Sequence, residues 1–121
     1  TIDIVTSHHQ PINPELKHVD FNSAEYGTIS LETMFGLLNK IFSIEKVIDL
    51  LTRGRFIFGL ENPKIEIGAK ACLTFFDPSK RNTFSSDKIL STSKNCAFVD
   101  MEIIGEVYGC INENKFHYNP E

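Results

Sequence analysis

The chain has 121 residues, 41% of them hydrophobic and 23% charged, which fits a folded globular domain or a piece of a larger one and excludes disordered, collagen-like and coiled-coil chains. Twelve Lys and Arg stand against 16 Asp and Glu, a net charge of -4 with no basic block, so neither nucleic acid nor an anionic membrane surface is an expected partner. No apolar run reaches the roughly 18 residues needed to cross a bilayer, and the N-terminus lacks a basic start before an apolar stretch, so a cytoplasmic location is expected.

The chain opens on Thr1-Ile2-Asp3-Ile4-Val5 without an initiator Met, as if it began inside a fold. The β-branched run Ile2 to Val5 predicts a buried strand that feeds the polar loop Thr6-Ser7-His8-His9-Gln10-Pro11. From Pro11 to Gly27 neither the helical nor the strand period is present, and long loops in compact domains are usually functional. Leu31, Met34, Phe35, Leu38, Ile41 and Phe42 then recur at three- and four-residue spacing, predicting an amphipathic helix from near Ser30 whose apolar face is core. A second helix is predicted from Ser43 through Leu51, stopped at Arg53-Gly54, with one more helical turn over Phe56 to Leu60.

After Asn62-Pro63 the pattern becomes that of strands. Ile65 and Ile67 alternate with charges, and Ala71 to Phe76 forms an apolar run that Asp77-Pro78 is expected to close. Thr83-Phe84 is a brief strand, Met101 to Ile111 a long one, and a turn at Asn112-Glu113-Asn114 leads to a last strand at Lys115 to Tyr118. Phe75, Phe76, Phe84 and Phe98 are expected in the core of this β part. Cys72, Cys96 and Cys110 are odd in number and unevenly spaced, which argues against disulfides or a cysteine zinc site and for reduced thiols.

The densest polar cluster is Ser7-His8-His9-Gln10-Pro11. Polar side chains at the C-terminal end of a buried parallel strand stand where α/β barrels place their active sites. A neutral imidazole there can ligate zinc or act as a base, although a loop histidine that only hydrogen-bonds has the same spacing. His18 and His117 are isolated and carry no assigned role.

Here the residues resemble a known family. Ile2 to Pro11, Pro14-Glu15-Leu16-Lys17 and Ala24-Glu25-Tyr26-Gly27-Thr28-Ile29-Ser30-Leu31-Glu32-Thr33 resemble the last barrel strand and following loop of the dihydroorotases, in the amidohydrolase superfamily. The family reads Asp-His-Ala-Pro-His, then Phe-Gly, then Gly-Leu-Glu-Thr. Ile65 to Pro78 resembles its return into a small β-domain, Ser91-Thr92-Ser93-Lys94-Asn95-Cys96-Ala97-Phe98 its Ser-Lys-Ser-x-Asn-x-Pro-Phe stretch, and Gly105-Glu106-Val107 its closing strands.

The resemblance implies a mixed α/β and β fold. Residues 1–62 would be the last strand, active-site loop and helices of a (β/α)8 barrel, and residues 63–121 the strands of a small β-sandwich domain. It implies a zinc-dependent cyclic amidohydrolase of pyrimidine biosynthesis, interconverting dihydroorotate and carbamoyl aspartate, in which an Asp on the last strand moves the proton. The family's His-x-His pair, bridging Lys and two further His ligands would lie upstream, so this chain alone is expected to bind no zinc and to be inactive.

The departures fall on the site. His8 stands where the family has its catalytic Asp and is the one possible metal ligand of this chain, while His9 keeps the neighbouring His. Ile12 replaces a His that contacts the substrate carboxylate. Tyr26 and Gly27 occupy the Phe-Gly positions whose backbone contacts the pyrimidine, and Arg53-Gly54 replaces an Asn-Pro. The favoured expectation is therefore a degenerate, noncatalytic dihydroorotase-like protein. Its expected partners are the upstream barrel portion, aspartate carbamoyltransferase and a second copy of itself. The alternatives are an active dihydroorotase that uses His8 as its base, and an allantoinase or hydantoinase relative.

Overall fold

The computed structural model describes residues 2–113 and 115–119. Three short helices precede a three-stranded antiparallel sheet: α1 (Met34–Asn39), α2 (Ile44–Thr52), α3 (Gly54–Ile57), β1 (Cys72–Thr83), β2 (Glu102–Asn112) and β3 (Lys115–Tyr118). The sheet order is β1-β2-β3.

The β2–β3 hairpin follows the sequence pattern, with Gly109 opposite Tyr118 and Asn112 opposite Lys115; Asn114 of the expected turn lies outside the described residues. β1 does not stop at Asp77-Pro78 as expected. It runs on to Thr83, with register shifts between Phe75 and Phe76 and between Asp77 and Arg81. Asp77 Oδ1 accepts from the Ser79 amide at 2.7 Å and the Ser79 hydroxyl at 2.6 Å, which folds the extra residues into a bulge. The same bonds, the hydroxyl first, hold the Asp77 carboxyl below its ordinary range.

The expected strand at Ile2 to Val5 is absent among the described residues. An extended run becomes a strand only with a ladder partner, and here the Val5 amide donates to the Leu50 carbonyl at the end of α2 instead. Ile65 and Ile67 likewise form no strand and are fully exposed. α2 begins after Ser43 and is capped at Arg53, as its spacing predicts, and buries Val47 and Leu50. Gly54, however, starts α3 rather than ending the helical region.

The first periodic helix is shorter than predicted, a turn over Leu31–Thr33 and then the six residues of α1. Its apolar face is only partly core, because Leu31, Ile41 and Phe42 are exposed. The chain presents 9137 Å² to solvent, against roughly 6,600 Å² for a compact monomer of this mass by the usual scaling. Apolar surface on the helices, including Phe56 and Phe58, makes up part of that excess.

The main buried cluster joins Ile29 to Phe84, Ile89 and Ile103, with Leu37, Cys96 and Val99 packed against it. It thus draws from both sides of the predicted boundary at residue 62. Phe76 and Phe98 are half-buried and Phe75 is exposed, so of the four phenylalanines assigned to the β core only Phe84 is fully inside. All three cysteines are free thiols.

α1 lies directly on β2. A Cβ at Gly36 would stand 2.8 Å from Ile103 Cβ, and one at Gly105, where φ is +108°, 2.5 Å from Phe35 Cε1. Asn39 ends the helix by donating to the Pro78 carbonyl at 2.8 Å and the Ile104 carbonyl at 2.9 Å, tying α1 to the bulge.

Candidate functional site

The segment Thr6 to Pro11 runs irregularly beside residues 28–31. His8 is exposed and makes no hydrogen bond among the described residues, and its φ of +44° turns the backbone in the left-handed region. A residue with a Cβ is uncommon there, so the position is a local turn rather than the continuation of a strand.

His9 faces the other way. Its Nδ1 accepts from the amides of Ser30 and Leu31, both at 3.2 Å, while the Ser30 hydroxyl donates to the Ser7 carbonyl. These contacts meet backbone donors at the start of the turn that leads into α1. An Nδ1 that accepts carries no proton, so in the neutral ring Nε2 holds it and is a donor, not a metal ligand. The two adjacent histidines therefore do different things: His9 is a structural acceptor and His8 is open to solvent.

Residues 12–28 leave and return at neighbouring points. The Gln10 amide donates to the Thr28 carbonyl at 3.0 Å. Gly27 has φ +132°, and a Cβ there would stand 2.5 Å from Ile12 Cδ1 and 2.9 Å from the Gln10 side chain. Only glycine fits both the torsion and the space. Ile12 is thus packed against the Gly27 backbone, and it offers no charge or donor from its side chain.

Between these points the chain bonds to itself. Asn13 accepts from the Glu15 amide at the head of a 3₁₀ turn over Pro14–Lys17, the Glu25 amide donates to the Leu16 carbonyl, and Lys17 Nζ donates to the Glu25 carbonyl. Phe21 and Tyr26 are each 95% exposed on this loop, so Tyr26 can contribute its backbone but its ring touches little.

Residues the sequence did not single out hold the loop's base. Asn95 Nδ2 donates to the Gly27 carbonyl at 3.0 Å, and the Ser93 hydroxyl donates to the Ile12 carbonyl. Thr28 Oγ accepts from the Ala97 amide at 2.9 Å. Glu32, in the Leu-Glu-Thr stretch, accepts from the amides of Leu90 and Ser91 at 2.8 and 3.1 Å. The one signal was the resemblance of Ser91 to Phe98 to the Ser-Lys-Ser-x-Asn-x-Pro-Phe stretch, which gave neither Lys94 nor Asn95 a role. Asn95 is a long-range contact, and Lys94 donates locally to the Ile89 carbonyl.

A shallow depression of about 260 Å³ lies beside this base, lined by Thr6, Ser7, Thr28, Ser30, Met34 and Phe98 among others. His8, Ile12, Tyr26 and Gly27 stand outside it. Among the described residues no three His, Cys, Asp or Glu side chains converge to hold a metal, and His9 spends its free nitrogen on the backbone. The residues here therefore do not fit a zinc site by themselves. No helix among the described residues is long and apolar enough to cross a membrane.

The fold is similar to that of a D-hydantoinase (dihydropyrimidinase) from Thermus sp., with a TM-score of 0.80 and 24% identity over 98% of this chain and 30% of that one. In sequence the chain is 33% identical to a dihydroorotase of Desulforapulum autotrophicum over 100% of its length and 30% of the relative's. It is 34% identical to that of Geotalea daltonii over 95% and 28%, and 30% identical to that of Bacillus subtilis over 98% and 29%. No family model matches. Over essentially its whole length the chain is similar to the C-terminal part of dihydroorotases, and it spans less than a third of the length of these curated relatives.

Proposed function

We propose that the chain works as the C-terminal part of a dihydroorotase-like protein that has kept the fold and lost the chemistry. On this reading residues 1–62 complete a (β/α)8 barrel and residues 63–121 a small β-sandwich, each together with an upstream portion. The observation that carries the loss of chemistry is His8. The family's Asp is an anion that takes a proton and returns it, whereas His8 brings an imidazole in place of a carboxylate, is exposed, and has no bond among the described residues to orient it. Ile12 supports the same reading, because its side chain lies against Gly27 and brings no partner for a carboxylate.

Zinc belongs to this reading only through residues outside these 121, since the described side chains do not assemble a site for it. Aspartate carbamoyltransferase and a second copy of the chain are its proposed protein partners, on the ground that a retained fold without catalysis is kept for binding.

The test is dihydroorotate hydrolysis by the full-length protein with zinc supplied, beside His8→Asp. The expected result is no turnover by the unmodified protein. Turnover by it, undiminished relative to His8→Asp, would make His8 a working base and the protein an enzyme. Turnover of hydantoin or allantoin in place of dihydroorotate would move the protein to the hydantoinase or allantoinase branch.

A further inference from the structure

Ile12 and Gly27–Ile29 form the two sides of the base from which the 13–26 loop projects, and both are gripped by one short segment far along the chain. Asn95 meets one side three times. Its Nδ2 donates to the Gly27 carbonyl at 3.0 Å, and its own carbonyl accepts from the Ile29 amide at 2.9 Å and the Thr28 hydroxyl at 3.3 Å. Ser93 meets the other side, donating its hydroxyl to the Ile12 carbonyl while accepting from the Asn95 amide at 3.3 Å.

The loop itself adds no anchor. Its hydrogen bonds close within 13–26, and most of its side chains are exposed. Its direction is therefore set where it joins the base. At that point Gly27 has a φ of +132°, and Asn95 is the donor that meets its carbonyl among the described residues. Losing this donor leaves the Gly27 carbonyl without its hydrogen bond, with only the packing of Ile12 and Gln10 to hold the peptide.

We propose that Asn95 and Ser93 are positioning residues: they fix the backbone of Ile12 and of Tyr26–Gly27–Thr28, and through it the presentation of the loop to whatever ligand this site takes. The ligand half of this rests on the dihydroorotase-like reading above; the backbone half does not.

The test uses the full-length protein and three variants, Asn95→Ala, Asn95→Asp and Ser93→Ala. Asn95→Asp keeps the shape but places a carboxylate oxygen against the Gly27 carbonyl, so it removes the donor without opening a gap. Amide hydrogen exchange is read at Gln10 and Ile29, on the base, and at Val47 in α2 as the reference for global opening. Both Asn95 variants are expected to exchange about fivefold to tenfold faster at Gln10 and Ile29, with Ser93→Ala smaller in the same sense and Val47 unchanged. Exchange that stays unaltered at the base, or that rises equally at Val47, would overturn the proposal, since a merely structural contact loosens the whole fold. Dihydroorotate affinity by calorimetry separates the two readings. A fall in the Asn95 variants supports both, whereas no binding by any form, with the base loosened as expected, leaves the positioning role standing and removes dihydroorotate as the ligand.

Discussion

α1 follows the 13–26 loop closely in the chain, yet its junction with β2 and the loop are held in opposite ways. At the junction, backbone and side chain meet without room for a methyl group: Gly36 against Ile103, Gly105 against Phe35, and Asn39 bridging two carbonyls. The loop itself packs on nothing comparable, carries Phe21 and Tyr26 in solvent, and is held only at its base, by polar contacts and by Ile12 against Gly27. Close packing fixes a position from all sides at once, while a polar base fixes only a direction. A fold of this kind can keep its architecture through the first region while the residues of the second change.

The difference can be broken at either end. Ile103→Ala removes the side chain that seats α1 on the sheet and should cost about 2–5 kcal/mol, read as a lower urea midpoint, because the site is lined by the fixed backbone of Gly36 and collapses poorly. Phe21→Ser should change stability by less than about 0.5 kcal/mol in the same titration, since the ring touches almost nothing. Comparable losses from the two would mean that the loop is packed after all.

What could be read from the sequence follows the same division. α2, β2 and β3 were legible because each rests on local signals: a Ser43 start and Arg53 stop for the helix, β-branched runs and a turn for the hairpin. β1 was legible only in part. Asp77-Pro78 reads as a stop, but an Asp side chain can bond its own backbone two residues on, and here that bond makes a bulge the strand passes through. Ile2 to Val5 has the composition of a strand and lacks a ladder partner among the described residues.

Of the site, the resemblance picked out His8, Ile12, Tyr26 and Gly27, and the Gly27 torsion gives one of them a physical reason. It did not assign Ser93, Asn95 or Asn39 a role. Asn95 meets Gly27 across 68 residues, and Asn39 meets Ile104 across 65. Contacts between single polar groups at such separations leave no period in a sequence.

The most direct measurement is the amide-exchange profile of the unmodified protein across residues 10–37. Gln10 and Ile29, bonded across the base, and Leu37, within α1, are expected to be protected to a similar degree, with Ser23 and Glu25 exchanging much faster. A flat profile, with the loop as protected as the junction or the base as open as the loop, would contradict the picture of a built base carrying an unanchored loop.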